Sequence, residues 1–375
     1  DNRIILMPLE DFEGVSLGCP VAGTKRTLDV GVGDDMLSRV FDGIGQPIDG
    51  KPFFPKGYVS LNNSPPNPLV RARIKESLPV GVRAIDAFTT LGRGQRIGIF
   101  SGSGVGKSTT MGMIARNTRA DVNVIGLIGE RGREVREFLE RDLGEEGLRR
   151  SAVVVSTSDQ PALMRVKALY TSTSIAEYFR DRGLNVMLMV DSLTRWSMAQ
   201  RELGLAIGEP PTTRGYPPSV FAGLPKVLER AGNSDKGSIT GIYTVLVEGD
   251  DFNEPISDTV RGIVDGHIIL SRKLAEGNHF PAIDVLASIS RLMPEVADKE
   301  HLKASRALKD LISTYYAAKD LIDVGAYKDG SDIKIDQAKK YISTINGFLQ
   351  QEVADKAIFE ETVNRLKKIL QTIQS

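Results

Sequence analysis

Short apolar runs alternate with longer helical stretches from about residue 76 to residue 295. The runs are nearly continuous in aliphatic residues, which is typical of parallel strands that helices cover on both faces. Predicted strands are 96–100, 122–129, 152–156, 185–190 and 239–247, and predicted helices are 107–117, 131–141, 161–181 and 192–206. We therefore predict an α/β domain over 76–295, built on a mainly parallel sheet.

The chain on either side of this region has different patterns. Residues 1–75 combine short β-type runs, such as 3–7 and 26–30, with Gly, Pro and Asp-Gly turn signals, which predict part of a small β domain. Within that segment NNSPPNPLVR (62–71) predicts an extended linker, because its prolines exclude regular ladders and helices. After about residue 296 the strands stop, and helical apolar spacing predicts a C-terminal helical domain over 296–375.

Composition excludes several classes of protein. The 375 residues carry 48 basic and 48 acidic side chains, so no overall charge attracts nucleic acid or an anionic membrane. The single cysteine, Cys19, excludes a disulfide within the chain. No apolar run approaches the roughly 18 residues of a membrane span. The chain begins with Asp1 rather than Met, and we expect natural N-terminal sequence to have been removed.

The stretch SGSGVGKS (101–108) predicts a phosphate-binding loop, because it follows a predicted strand and begins a predicted helix. Ser101 occupies the position that the strict pattern gives to glycine, where a small residue still fits a tight bend. Lys107 can reach the β- and γ-phosphates, and the Ser108 hydroxyl can bind Mg²⁺. The predicted nucleotide-binding residues of this loop are Gly102, Ser103, Gly104, Val105, Gly106, Lys107, Ser108 and Thr109.

Two acids follow predicted strands, at the edge of the sheet where ligands of open α/β proteins bind. Asp191 ends the strand in LNVMLMVDS and is a candidate for the Mg²⁺ side of the site; a helix cap is the alternative. Glu130 follows the strand in GLIGERGREV and is a candidate base for the attacking water; an acid at a surface helix N-terminus is the alternative.

Arginines and histidines are less informative. An arginine near the transferred phosphoryl group would neutralise growing charge, but arginines are also common on solvated helices. By spacing alone the candidate arginines remain more typical of structural residues: Arg131, Arg133, Arg195 and Arg291. The three histidines have no metal-ligand spacing, and we interpret them as structural: His267, His279 and His301.

Several longer motifs carry a family resemblance over essentially the whole chain. PAIDVLASIS (281–290) matches the signature shared by rotary ATPase α and β subunits, while GERGREVREF and DSLTRWSMAQRELGLAIGEPPTTRGYPPSVF resemble the protein-export branch. SDQPALMR and FLQQEVADKAIFEE favour its flagellar members. The chain thus resembles the flagellar type III protein-export ATPases, relatives of the catalytic subunits of rotary ATP synthases. The resemblance implies a RecA-like P-loop core between a partial small β-barrel and a C-terminal helical domain.

The same resemblance implies roles for individual residues. Lys107 and Ser108 match the phosphate-loop lysine and the Mg²⁺ hydroxyl, Glu130 the carboxylate that orients water, and Asp191 an acid that holds Mg²⁺ through water. Arg195 matches an arginine near the phosphate, and Arg291 an arginine finger that reaches the neighbouring subunit. Phe280 matches an aromatic residue that stacks on adenine, and Phe359 is expected in the same pocket.

The resemblance further implies MgATP hydrolysis by a homohexamer, because one chain carries both the acid of Glu130 and the finger of Arg291. Expected partners are a stator-like regulatory protein on the N-terminal region, a central-stalk-like protein, export-gate membrane proteins, and export substrates with their chaperones. The expected location is the cytoplasm, at the inner face of the membrane. Alternatives are a virulence injectisome ATPase, a rotary ATP synthase β subunit, a non-catalytic nucleotide-binding ring and a nucleic-acid motor; neutral charge disfavours the last.

Overall fold

The protein was analysed as a computed structural model, which describes residues 6–9, 13–247, 249 and 251–374. The strands are β1 (Asp29–Val32), β2 (Arg39–Phe41), β3 (Gly57–Ser60), β4 (Arg96–Ser101), β5 (Val122–Ile128), β6 (Ser151–Ser156), β7 (Asn185–Asp191), β8 (Gly232–Asn233), β9 (Ser238–Leu246), β10 (Gly266–Leu270) and β11 (Ile283–Ser290). The α-helices of the first three quarters of the chain are α1 (Arg83–Phe88), α2 (Lys107–Asn117), α3 (Gly132–Glu137), α4 (Gly144–Arg149), α5 (Ala162–Asp181), α6 (Leu193–Ala206), α7 (Pro218–Leu228), α8 (Pro255–Ile263) and α9 (Arg272–Glu276). Those after β11 are α10 (Met293–Val296), α11 (Lys299–Asp323), α12 (Ile333–Leu349) and α13 (Phe359–Gln374).

A nine-stranded sheet forms the centre, in the order β11-β10-β4-β9-β7-β5-β6-β2, with β8 paired to β9. Neighbours from β10 to β2 run parallel, whereas β11 and β8 pair antiparallel with β10 and β9. The five predicted strands match β4, β5, β6, β7 and β9 to within one residue at each end. Continuous burial of these strands explains the match, because both faces of the sheet are covered. The predicted α/β class with a mainly parallel sheet is confirmed.

The helix predicted at 131–141 has a different form. The chain is α-helical in α3 and then widens into a π-helical turn over Phe138–Leu143 before α4. A tertiary contact accompanies this widening: a Cβ built on Gly112 of α2 would lie 2.4 Å from the carbonyl oxygen of Asp142. Close packing of α2 against this turn therefore accompanies a local form that helical periodicity does not specify.

The N-terminal segment contributes to two sheets. β1 and β3 pair antiparallel, whereas β2 pairs in parallel with β6 and so extends the central sheet. The sequence did not predict this extension, since a run of three residues is too short to specify its partner. Of the predicted run 3–7, residues 3–5 lie outside the described residues, and the run 26–30 overlaps the strand β1 only at Asp29 and Val30. The boundary near residue 75 and the barrel form of this segment remain predictions.

The helices after β11 pack on α1 and directly on β11 of the sheet. Apolar side chains of α11, α12 and α13 share one buried cluster with those of α1; members of it are Ile85, Phe88, Leu308, Phe348 and Leu366. Arg83 of α1 also donates to the carbonyl oxygen of Phe348 at 3.0 Å. Among the described residues no helix is both long and apolar enough to cross a membrane. The predicted C-terminal helical region is present, joined to the α/β core by a continuous apolar contact.

Candidate active site

The loop between β4 and α2 has the backbone of an anion cradle. Gly104 and Gly106 have φ values of +79° and +88°, a left-handed conformation that favours glycine. A Cβ at Gly104 would meet nothing within 4 Å, so conformation rather than space requires glycine there. Ser101 is fully buried as the last residue of β4, and its carbonyl accepts from Val247 N–H at 2.9 Å. Its hydroxyl is buried with no hydrogen-bond partner among the described residues, so serine fits this position by its small size alone.

Three charged side chains converge beside this loop, at the carboxyl ends of the parallel strands. Lys107 Nζ donates a hydrogen bond to Asp191 Oδ1 and lies 3.5 Å from Glu130 Oε1. Thr244 of β9 donates its hydroxyl to Asp191 Oδ1 at 2.7 Å. Asp191 and Glu130 are only 3% and 8% exposed, so water screens their charges weakly. The structure therefore brings together the lysine and both acids that the sequence singled out.

The alternatives for the two acids can be examined directly. Ser192, not Asp191, caps α6, because its hydroxyl accepts from Arg195 N–H at 3.3 Å. Glu130 is buried beside Lys107 rather than exposed at the start of α3. Neither acid therefore has the structural place that the alternatives require.

Burial shifts the protonation of this cluster. Desolvation and the nearby charge of Asp191 raise the pKa of Glu130 from 4.5 to about 7, while Lys107 opposes the shift. Burial disfavours the charged form of Lys107, but Asp191 and Glu130 hold its pKa above the ordinary value. Glu130 is thus poised near neutral pH, as expected of a group that accepts or orients a proton during catalysis.

A small cavity lies between these groups, lined by Ser108, Glu130, Glu134 and Asp191 on its polar side. Hydroxyl and carboxylate oxygens are the ligands that Mg²⁺ prefers, usually with several waters retained. Glu130 Oε1 is buried and has no hydrogen-bond partner among the described residues. The donor set therefore fits a hydrated Mg²⁺ at Ser108 and Asp191, while the nearest cation to Glu130 Oε1 is Lys107 Nζ at 3.5 Å.

Arg195 and Phe280 complete this side of the site. The stem of Arg195 packs on Gly129, where a Cβ would lie 2.8 Å from Arg195 Cβ. The positive charge of Arg195 lowers the pKa of neighbouring Glu130, while burial raises it. The Phe280 ring would lie 3.8 Å from a Cβ on Gly106, and 42% of the residue is exposed. Phe280 therefore borders the phosphate loop and Arg195 lies beside Glu130, and their roles towards the nucleotide remain predictions.

Phe359 has a different environment from Phe280. It begins α13 and packs edge-to-face on His301, with ring centroids 6.1 Å apart. The segment that contacts the Phe280 loop is instead Gln350–Gln351, where Gln351 N–H donates to Phe280 C=O at 3.0 Å. A role for Phe359 in adenine binding remains a prediction, and the geometry places Gln351 nearer to the aromatic residue.

Arg291 lies at the opposite edge of the sheet from the loop. It is exposed, and its N–H donates to Asp265 C=O at 3.0 Å, while Asp265 N–H donates to Arg96 C=O at 2.8 Å. Arg96 begins β4 and the loop follows its end, so the six residues of β4 separate them by roughly 16 Å at about 3.3 Å per residue. The backbone of Arg291 therefore lies at the end of β4 opposite to the phosphate loop of its own chain.

Two further arginines are exposed to solvent, whereas two further polar residues lie beside the acids. Arg131 and Arg133 are exposed and pair with Glu134 and Glu137, as solvated helix residues do. Thr244 and Glu134 contact the acids, yet the sequence interpretation did not include them. Sequence signals for both residues existed. Thr244 is a polar residue within the apolar run of β9, and Glu134 lies four residues, or one helical turn, after Glu130.

The family models match most of the chain. Residues 81–290 match the nucleotide-binding domain of the ATP synthase alpha/beta family. The chain belongs to this family. Residues 297–368 match the C-terminal domain of the EscN ATPase of type III secretion systems. The two matches correspond to the α/β core and to the helical region that follows it.

Similar proteins narrow the branch of the alpha/beta family. The chain is 57% identical to the flagellum-specific ATP synthase of Bacillus subtilis over 98% of this chain and 84% of the relative. It is 51% identical to the type 3 secretion system ATPase of Xanthomonas euvesicatoria, over 97% of this chain and 83% of the relative. The assembled EscN ATPase of enteropathogenic E. coli superposes with a TM-score of 0.93 at 50% identity, covering 97% of this chain and 89% of EscN. The chain is therefore an ATP-hydrolysing enzyme of the flagellar and type III secretion group.

Proposed function

We propose that this chain is the MgATP-hydrolysing motor of a flagellar type III protein export apparatus, acting as a homohexameric ring. The identity of 57% with a flagellum-specific relative, against 51% with a type 3 secretion system relative, supports the flagellar assignment. An injectisome ATPase is the second candidate, because relatives of that kind remain close and the site chemistry is the same.

One half of each catalytic site is contributed by a single chain. Lys107 and the loop bind the phosphates, and Ser108 and Asp191 hold Mg²⁺, the latter through water. Mg²⁺ neutralises charge on the phosphate oxygens when it is bound. Glu130 orients the attacking water; its Oε1 is buried beside the phosphate loop, and its nearest cation is the phosphate-binding Lys107 at 3.5 Å. Arg195 positions Glu130, and Phe280 stacks on the adenine.

The other half comes from the neighbouring subunit. One observation carries this proposal: the chain holds a complete lysine–acid cluster at one edge of its sheet and an exposed Arg291 at the other. An exposed arginine that cannot serve its own loop can serve the loop of the next copy in a ring. Such a finger contributes on the order of 10³-fold or more in rate by stabilising the transition-state charge.

Mixing two inactive variants tests the shared site. Glu130→Gln removes the water-orienting acid and keeps the finger, whereas Arg291→Ala removes the finger and keeps the acid. Each alone is expected to bind a fluorescent ATP analogue and to hydrolyse ATP at a small fraction of the wild-type rate. Co-assembled at equal amounts, they regain activity at about a quarter of the interfaces of a ring of identical positions.

The outcome separates a shared site from a site within one chain. If the mixture stays as inactive as its components while both bind nucleotide, Arg291 does not act in trans. Activity per subunit should also rise with protein concentration as rings assemble, measured beside mass photometry. A phosphate-release rate that is constant from monomer to ring would contradict the proposal.

The partners and the location are part of the same proposal. EscN has been solved in complex with its central stalk EscO, and that neighbour superposes on this chain with a TM-score of 0.91. We extend this to a central-stalk-like partner here, together with the stator-like regulator, export gate and chaperone–substrate complexes. The proposed location is the cytoplasmic face of the export apparatus. Co-purification of the ring with a stalk-like protein from flagellated cells, lost when flagellar genes are deleted, tests this part.

A further inference from the structure

The strand that leads to Arg291 has an irregular pairing with β10. Ile269 pairs with Asp284 and His267 pairs with Ile289, so two residue steps along β10 correspond to five along β11. We name residues 284–288 the β11 bulge. A bulge bends its strand and redirects the residues after it, and Arg291 lies only three residues beyond Ser288. The ladder resumes where Ile289 and Ser290 pair with His267 and Gly266, so the bulge lies directly before the two paired residues that lead to Arg291.

Hydrogen bonds close the β11 bulge upon itself. Asp284 Oδ1 accepts from the N–H groups of Leu286 at 2.9 Å and Ala287 at 3.0 Å. The Ser288 hydroxyl donates to Asp284 C=O at 2.5 Å and accepts from Ile269 N–H at 3.0 Å. These bonds replace the ladder bonds that the bulge interrupts. They hold the bulge in one form.

Packing alone does not fix the β11 bulge. Val285 and Leu286 line a cavity of about 580 Å³, whose far wall includes Ile312 and Tyr316 of α11. Leu286 is also 40% exposed. Val285 is buried in the apolar core, so packing holds that part of the bulge, whereas the exposed Leu286 and Ala287 depend on the polar contacts to keep their form.

One of these polar contacts comes from the C-terminal helical region. Lys309 of α11 donates from Nζ to the Ser288 carbonyl oxygen at 3.2 Å. Its side chain is half-buried. A hydrogen bond from a charged donor contributes on the order of 1.5–3 kcal/mol, more than a neutral one. The bond ties α11 to the strand at the last residue of the bulge.

We propose that Lys309 is a positioning residue for the arginine finger: it holds the β11 bulge and so fixes the reach of Arg291 into the neighbouring subunit's site. Through this bond the position of α11 is coupled to the rate of ATP hydrolysis in the neighbouring subunit's site. The inference rests on the proposed in-trans role of Arg291. It assigns to Lys309 no contact with nucleotide.

The test uses Lys309→Met, which keeps the length and apolar stem and removes the charged donor. In a homogeneous ring kcat should fall on the order of 10- to 100-fold, the cost expected of misplacing a catalytic group by about 1 Å. KM for MgATP should stay within about twofold, because Phe280 and the phosphate loop are untouched. Lys309→Arg should restore most of kcat. Lys303→Met, at an exposed position on the same helix, is the matched control and should behave as wild type.

Complementation separates a positioning role from a general loss of structure. Lys309→Met subunits keep Glu130 and lack a well-placed finger, so mixing them with Glu130→Gln should restore activity as Arg291→Ala does. Recovery with Arg291→Ala but not with Lys309→Met would overturn the inference and leave the shared site intact. No recovery with either would overturn the shared site itself. A wild-type kcat for Lys309→Met, or a rise in KM alone, would also overturn the inference.

A second variant changes the bulge itself and leaves the Lys309 side chain in place. Asp284→Ala removes the two bonds from Leu286 and Ala287 and should give the same phenotype: low kcat, unchanged KM and rescue by Glu130→Gln. If Lys309→Met rings do not assemble, Asp284→Ala tests whether the shape of the β11 bulge controls the arginine finger. An Asp284→Ala ring with wild-type kcat would show that bulge shape does not control the finger.

Discussion

Replacing Glu130 with glutamine should make the nucleotide-free protein more stable while it abolishes hydrolysis. Glu130 is buried beside Asp191, and its pKa is raised from 4.5 to about 7. A carboxyl with a raised pKa binds its proton more tightly in the folded than in the unfolded chain, so stability falls as pH rises from 4.5 towards 7. Above pH 7 the full cost is present. Glutamine has the same shape and carries no charge, so the variant avoids this cost.

The size of the effect can be calculated from the two pKa values. A difference between 4.5 and about 7 corresponds to roughly 3 kcal/mol, at about 1.4 kcal/mol per pH unit. Solvent screening reduces this free-energy difference only slightly, because Glu130 is 8% exposed. For a chain of 375 residues roughly 3 kcal/mol is equivalent to a rise in Tm of about 4 °C. At pH 5 less than about 1 kcal/mol remains, since Glu130 then carries its proton in the folded chain.

Thermal unfolding at pH 8 and pH 5, without nucleotide and at one scan rate, measures this difference. Glu145→Gln, which changes an exposed carboxylate on α4, is the control and should leave Tm unchanged at both pH values. Two results would refute the reasoning. One is a Glu130→Gln variant less stable than wild type at pH 8, and the other is an equal gain at pH 5 and pH 8.

Three further predictions concern the base, the loop and the core. Phe280→Ala should raise KM for MgATP about 10- to 100-fold with kcat preserved, because stacking on a base contributes about 1–3 kcal/mol, and Phe280→Trp should restore it; an unchanged KM in steady-state assays excludes stacking. Gly106→Ala places a Cβ at a φ of +88°, so binding of a fluorescent ATP analogue should be lost while Tm stays within about 3 °C; wild-type affinity would contradict the cradle. Buried Arg230 is paired with Glu177 at 2.6 Å, and Glu177→Gln leaves it without its counter-charge. The free energy of unfolding, measured in urea, should fall by about 3–5 kcal/mol, and KM should stay unchanged. A fall of less than about 1 kcal/mol would mean that the Arg230 charge is solvated.

Sequence pattern predicted the elements whose burial is complete. The strands of the core have continuous apolar runs because helices cover both faces, and helix α2 begins and ends where the loop and its spacing require. Pattern failed where a distant contact decides local form. The π-helical turn at Phe138–Leu143 packs on Gly112, and β2 joins a strand more than 100 residues away. Neither contact leaves a periodic signal.

The site was predictable on one side only. Lys107, Glu130 and Asp191 each follow a buried strand, and parallel strands bring such positions to one edge. Thr244 and Glu134 were missed because their roles depend on which strands and turns are neighbours. Family resemblance suggested a role for Arg291, but its place at the far edge depends on β11 running antiparallel to β10.

The antiparallel direction of β11 has a mechanical consequence. Phe280 precedes the strand and Arg291 follows it, so its eight residues join the proposed base pocket of one site to the proposed finger of another. Fully extended, these eight residues would span about 27 Å at 3.4 Å per residue. The β11 bulge contains three residues more than the facing part of β10, which shortens the distance along the strand by roughly 10 Å. A bulge that opened or closed could therefore move Arg291 without disturbing Phe280. Because Lys309 holds the bulge from α11, the C-terminal helices are placed to control the neighbouring site while the subunit's own nucleotide stays bound.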